Sequence, residues 1–262
     1  MTEFKEFKDK VVVISGAGQG AGRKMAERFY ADGAKVCLLD INKDTLNKVL
    51  EESKADKDRF VAYPTDISNS TNVRETFKSI GEKFGRIDFL INNAGVLHKS
   101  TIEESTDEHL QLMVNVNLLG PSYCTREAIP YMKNGGGSIV NVASILATFP
   151  NTGSGAYGAA KAGMIVMTRV WAAELAPYNI RVNAYAPGVI NTPMAEYVIK
   201  TRPESKLQQI ALRRFGETDD VYDLVKFYCS EQSSYITGQC IGLDGGIWTT
   251  QTPTASWKLE NK

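Results

Sequence analysis

The sequence has little that could hold a metal. It contains two histidines, His98 and His109, and four scattered cysteines, Cys37, Cys124, Cys229 and Cys240, with no C-x-x-C pair and no histidine at ligand spacing. No metal site is expected, and the thiols should be reduced and mostly packed. An excess of charge is missing too: Lys and Arg number 30, Asp and Glu 30, so no overall field draws in nucleic acid or an anionic membrane. No apolar run reaches the roughly 20 residues that cross a bilayer, and the opening MTEFKEFKDK alternates charge with aromatics where a secretory leader would be apolar. A cytoplasmic protein acting on a small molecule is expected, without nucleic-acid or membrane partners.

Linkers, repeats and low-complexity stretches are absent as well. A chain of 262 residues can bury about three quarters of its unfolded surface, and one domain spanning 1–262 fits better than two. Seven short apolar, β-branched runs recur: VVVIS at Val11, KVCLL at Lys35, RFVAY at Arg59, IDFLI at Ile87, SIVNV at Ser138, IRVNAYA at Ile180 and QCIGL at Gln239. Between them, helical spacing predicts helices over 23–30, 44–51, 72–84, 107–132, 156–176 and 219–230. Such alternation implies an α/β fold, a seven-stranded parallel sheet doubly wound with helices on both faces. Gly33 and Gly135 suit helix ends, Pro177 should close the helix that starts near Ala156, and the tail over 249–262 carries no clear signal.

The first strand runs into Ser15-Gly16-Ala17-Gly18-Gln19-Gly20-Ala21-Gly22, and a helix follows. Glycines in a strand-turn-helix let the backbone approach a pyrophosphate, whose charge the free N–H groups of the helix start favour. The Gly-Lys-Ser/Thr ending of a triphosphate-binding loop is lacking, which disfavours a nucleoside triphosphatase. Asp40 closes the second strand, where a carboxylate can accept hydrogen bonds from an adenosine ribose. The pattern is that of a Rossmann fold binding a dinucleotide. A 2′-phosphate beside Asp40 would be repelled by roughly 2 kcal/mol even with water-like screening at about 4 Å. The expected cofactor is therefore NAD, favoured over NADP by on the order of a hundredfold.

Tyr157 and Lys161 stand four apart in "TGSGAYGAAKAG" and project from one helix face, about 6 Å apart along the axis. A phenol ionises near pH 10; lowering it about three units takes roughly 4 kcal/mol, which one cation at about 4 Å supplies at an effective dielectric of about 20. Ser144 ends the SIVNVAS strand, at the sheet edge where α/β proteins bind ligands, and its hydroxyl can hydrogen-bond a substrate oxygen.

From Lys10 to Trp248 the chain resembles the short-chain dehydrogenase/reductase family. The resemblance rests on an ordered set: SGAGQGAG, Asp40, Asp66-Ile67, Asn92-Asn93-Ala94-Gly95, Asn117, Ser144, Tyr157-x-x-x-Lys161, Pro187-Gly188 and LDGG at Leu243. It implies that Tyr157 exchanges a proton with the alcohol or carbonyl oxygen, that Ser144 holds that oxygen, and that Lys161 lowers the phenol's pKa and bonds the nicotinamide ribose. Asn117 would position a water linking the lysine to solvent, or satisfy a kink in its long helix.

The resemblance also implies the cofactor contacts. Gly16, Gln19, Gly20 and Ala21 would lie near the pyrophosphate and ribose, Asp66 and Ile67 beside the adenine, and Asn93, Ala94 and Gly95 behind the adenosine ribose. Pro187, Gly188, Ile190 and Thr192 would meet the nicotinamide end. Ser15, Ala21 and Ala143 depart from the usual residues without removing a reacting group. The implied activity is NAD-dependent hydride transfer between a secondary alcohol and its ketone; the alternative is an NAD-binding regulatory protein without turnover.

The resemblance makes 194–214 a substrate lid, with Met194, Tyr197, Val198 and Leu207 as candidate contacts, and implies a homo-oligomer, tetramer or dimer. His98 is a candidate substrate contact, whereas His109 is expected to face solvent. The pocket loops 96–100, 145–152 and 194–212 carry Phe149, Tyr197 and aliphatics with few obvious charges. They suit sugars, polyols, steroids and acyl ketones alike.

Overall fold

Five consecutive buried residues, Val11–Ser15, form β1 inside the sheet, and their unbroken apolar run reflects burial on both faces. The computed structural model describes residues 5–247 and 249–258; the outer ends of the expected 1–262 domain, and Trp248 at the end of the family resemblance, lie outside the described residues. Each expected strand is present: β2 (Lys35–Asp40), β3 (Phe60–Pro64), β4 (Phe89–Asn92), β5 (Gly137–Val142), β6 (Ile180–Pro187) and β7 (Cys240–Leu243). All pair in parallel, in the order β3-β2-β1-β4-β5-β6-β7. The chain winds outward from β1 to β3, then crosses back to lay β4 on the other side of β1. The order therefore reverses between β1 and β4, and a crevice opens beyond their carboxyl ends.

Alternate residues of each strand enter opposite layers. Val12 and Ile14 meet Met25 and Phe29 of α1 (Gly20–Ala31), Leu46 of α2 (Lys43–Ser53) and Tyr222 and Val225 of a late helix, Thr218–Cys229. Val11 and Val13 join the layer of Phe77 and Ile80 from α3 (Ser70–Phe84). Two further helices cover that second face. They are α5 (Gly120–Met132), which follows α4 (Asp107–Val114), and α6 (Gly155–Leu175). After β6 come α7 (Glu196–Thr201) and α8 (Pro203–Leu207), and the late helix is α9. Among the described residues no helix is long and apolar enough to cross a membrane. The four cysteines are free, and three of them, Cys37, Cys124 and Cys229, are buried.

The single helix expected over 107–132 is corrected. A π-helical turn, Asn115–Leu119, separates α4 from α5, because the buried amide of Asn117 competes for backbone partners: it donates to Met113 O at 3.0 Å and to Val96 O at 2.9 Å, and accepts from Val96 N at 3.2 Å. Beyond α5 the left-handed glycine is Gly136 (φ 68°) and not Gly135, since the helix runs on to a cap at Lys133. Pro177 lies just past the end of α6, as expected.

Candidate active site

The glycine turn is fixed by two side chains that reach it from neighbouring strands. Asp40 Oδ2 accepts from Gly18 N at 2.9 Å while Oδ1 accepts from Asn42 N at 3.0 Å, which orients the carboxylate at the carboxyl edge of β2. Just past β4, Asn93 Nδ2 donates to Ser15 O at 3.0 Å and Gly16 O at 3.2 Å. Ser15 Oγ accepts from the backbone of Asn93 and Ala94, each at 3.1 Å, so the ends of β1 and β4 are tied together at the switch point.

The start of α1 fits a dinucleotide's diphosphate. Gln19 at its N-cap makes no side-chain cap bond and the first turn holds no acid, so the leading N–H groups remain available for an anion. By contrast α2, α3, α4 and α9 are closed by Asn42, Asn69, Thr106 and Glu217.

Beyond the turn, Gly95 brings two functional groups together. A Cβ there would lie 2.9 Å from Asn117 Oδ1 and 3.5 Å from Lys161 Nζ, so both the amide and the ammonium approach its bare backbone. Lys161 Nζ donates to Val142 O at 2.7 Å and lies 5.8 Å from the centroid of the Tyr157 ring. Ser144 stands close enough to the Tyr157 hydroxyl to influence its ionisation, while its own Oγ accepts from Leu146 N at 3.1 Å. Glycines and alanines around Tyr157 let α6 approach this edge: Gly158 would carry a Cβ 2.8 Å from Leu146 O.

Burial governs the ionisation of this pair. It pushes the Tyr157 phenol up, with the nearby Ser144 hydroxyl pulling the other way, and it lowers the Lys161 ammonium to about 8. In this structure the Lys161 ammonium is directed at Val142 O, and the downward pull on the phenol comes from Ser144.

One cavity of about 940 Å³ gathers the expected residues. Gly16, Gln19, Gly20, Ala21 and Asp40 line one end; Asp66, Ile67, Asn93, Ala94 and Gly95 line its flank. Ser144, Tyr157 and Lys161 form the wall toward Pro187, Gly188, Ile190 and Thr192. Asn117 is buried behind this lining. Of the lid candidates, Met194, Tyr197 and Val198 line the cavity and Leu207 does not, and Phe149 lies outside the lining.

Three cations that sequence reasoning passed over do line it: Lys99, Arg202 and Lys206. The pocket is thus more charged than its aliphatic loops suggest. The four-residue spacing of Arg202 and Lys206 was the only signal for them, since Lys99 comes from a distant loop. Both histidines also depart from expectation. Their rings stack at 3.7 Å beside a separate cavity of about 390 Å³, because the loop after β4 folds back onto α4. His98 therefore leaves the main cavity and His109 is half-buried.

Comparison with known proteins agrees with this geometry. Residues 16–248 match the family model described as enoyl-(acyl carrier protein) reductase. A 3-oxoacyl-[acyl-carrier-protein] reductase of Thermotoga maritima is 40% identical over 239 residues, covering 91% of this chain and 97% of the relative. Two solved structures from Brucella melitensis superpose closely. A short-chain dehydrogenase/reductase described as a glucose/ribitol dehydrogenase has TM-score 0.89 and 34% identity, over 94% of this chain and 99% of its own. A 3-ketoacyl-(acyl-carrier-protein) reductase complexed with NADH has TM-score 0.84 and 35% identity, over 92% and 98%.

Proposed function

The chain belongs to the short-chain dehydrogenase/reductase family, an oxidoreductase family, and from that premise we propose that it moves hydride between NAD(H) and a secondary alcohol or its ketone, with an oxoacyl ketone as the substrate to test first. The observation that carries this reading is the convergence of Ser144, Tyr157 and Lys161 on the wall of a cavity whose far end holds Asp40 and the uncapped start of α1. A bound nicotinamide dinucleotide supplies the hydride.

The chain's own residues handle the proton and the oxygen. In the reductive direction Ser144 donates a hydrogen bond to the carbonyl oxygen, and the Tyr157 hydroxyl delivers the proton to it as alkoxide character develops. Burial keeps the phenol protonated near neutral pH, the state in which an acid is needed. Lys161, with a pKa of about 8, is still mostly cationic there and stabilises the phenolate left behind. Asn117 holds the backbone of Val96 and Met113 and thereby the floor over which Lys161 lies. Gly16, Gln19, Gly20, Ala21 and Asp40 would receive the diphosphate and adenosine, Asp66, Ile67, Asn93, Ala94 and Gly95 its adenine side, and Pro187, Gly188, Ile190 and Thr192 the nicotinamide.

Asp40 supports NAD over NADP, because its fixed carboxylate accepts ribose hydroxyls and repels a phosphate. Val166 and Val170, exposed four residues apart on α6, and Ile241 on the edge strand β7 support a homodimer or homotetramer. The four free cysteines support a reducing, cytoplasmic setting.

The test is NADH or NADPH consumption with a panel of 3-oxoacyl esters, read at the nicotinamide absorbance. NADH should be preferred by about a hundredfold, and Tyr157→Phe should lower turnover by about two to four powers of ten while NADH binding holds. NADPH binding as tightly as NADH would overturn the cofactor assignment. Near-normal turnover by Tyr157→Phe would overturn the proton donor.

A further inference from the structure

The cavity has an electrostatic asymmetry that the hydride chemistry does not use. Its lining carboxylates, Asp40 and Asp66, belong to the dinucleotide end, whereas the substrate end carries Lys99, Arg202 and Lys206 with the aliphatic Val96, Leu97, Leu112 and Leu146. Among the described residues none of the three cations forms an ion pair with a carboxylate. Glu196, the lid's first acid, is paired with Lys200, and Glu204 stands outside the lining.

Of the three, Lys206 is half-buried, and Lys99 and Arg202 are exposed on the same lining. Arg202 caps α8 and Lys206 lies in its last turn, tied by its backbone N–H to Arg202 O at 3.2 Å, while its Nζ donates to Gln209 Oε1 at 3.1 Å. Lys99 approaches from the loop after β4. Burial together with the charges of Lys99 and Arg202 lowers the pKa of Lys206, so the cluster is under mutual repulsion that an anion would relieve. All three line the cavity that also contains Tyr157.

We propose that Lys99, Arg202 and Lys206 form an oxyanion subsite at the substrate end, so that the substrate is an apolar oxo or hydroxy compound ending in a carboxylate or a phosphate. This rests on the functional reading above for the position of the reacting carbon, and extends it to the other end of the molecule. Arg202 offers a bidentate fork and the two lysines point charges, a set that suits either group.

The test compares three probes with the same eight-carbon chain, octanoate, octyl phosphate and octanol, by calorimetric titration at low ionic strength with NADH present. The comparison is repeated on Arg202→Gln/Lys206→Gln and on Lys99→Gln, none of which touches the reacting groups. At least one anion should bind tenfold or more tightly than octanol, with the stronger anion identifying carboxylate or phosphate. The double variant should erase that preference and leave octanol unchanged. Equal binding of octanol and both anions, or an anion preference that survives in the double variant, would overturn the proposal. The second result would place the anion away from Arg202 and Lys206. The same proteins are assayed for NADH oxidation with a neutral 3-oxoacyl ester. Turnover without an anion preference sinks the subsite alone, and an anion preference without turnover of any carbonyl sinks the hydride reading alone.

Discussion

Lys161 shows how far a single residue can be understood from its spacing. Its place four residues after Tyr157 was enough to put both on one helix face and in one site. The direction of its ammonium was not legible, because Val142 O, the acceptor that claims it at 2.7 Å, belongs to a different element. The consequence is a buried cation whose pKa falls to about 8 because burial penalises the charged form. The unfolded chain holds that proton up to about 10.4. Between these values the unfolded state binds more protons than the folded one, so Lys161's contribution to stability rises with pH; below 8 the cost of the buried charge is present in full. Lys161→Met removes the titration. Measured by urea unfolding, the difference in stability between Lys161→Met and the parent should therefore shift toward the parent as pH rises from about 8 to 10, by about 3 kcal/mol at most. A difference that stays constant over that range would mean that the ammonium is solvated.

At the scale of elements, the strand-turn-helix that opens the fold was readable because every requirement is local: an apolar run, glycines, and a helical pattern. The role of each glycine was not, since it depends on what the turn folds against. Gly22, in the first turn of α1, has no room for a side chain, because a Cβ would run into Gly16 O and sit 2.6 Å from Asn93 Nδ2. Gly155, the first residue of α6, has nothing within 4 Å of such a Cβ. Gly22→Ala should thus destabilise the protein by about 1–3 kcal/mol through forced backbone displacement and weaken NADH binding at the turn. Gly155→Ala should be neutral or stabilising by up to about 1 kcal/mol, through helix propensity. Paired thermal melts and NADH titrations check both, and equal effects from the two substitutions would remove the packing argument. The lid and tail show the opposite case. Residues 249–258 carried no sequence signal, yet Thr254 Oγ1 donates to Gln208 O at 3.0 Å and Trp257 Nε1 to Ala211 O at 2.8 Å, tethering the segment after α8.

Across the whole molecule, what was legible is what the chain writes in order, and what was missed is what the fold assembles from separate segments. Lys99, Arg202 and Lys206 meet only because the loop after β4 and the lid share one crevice. Likewise Asn92 Nδ2 donates to Asn141 Oδ1 at 2.8 Å and Asn141 Nδ2 to Thr168 Oγ1 at 2.9 Å, a buried polar chain linking β4, β5 and α6 whose pairing no single segment shows. Such crossings bear on cooperativity. The two apolar layers lie on opposite faces of the same strands, with β1 giving Val12 and Ile14 to one and Val11 and Val13 to the other. Neither layer can be exposed without breaking the sheet that supports the other, so we propose one cooperative unit. Far-UV dichroism, which follows all elements, and tryptophan emission, to which Trp171 on the α6 side contributes, should then report coincident urea transitions. On the proposed function NADH would bind at the crevice where β1, β2 and β4 end, so at about a hundred times its Kd it should stabilise the entire unit by about 2.7 kcal/mol. Both probes should move together. Two separated transitions, or a shift by NADH in only one signal, would divide the chain into units that the shared sheet forbids.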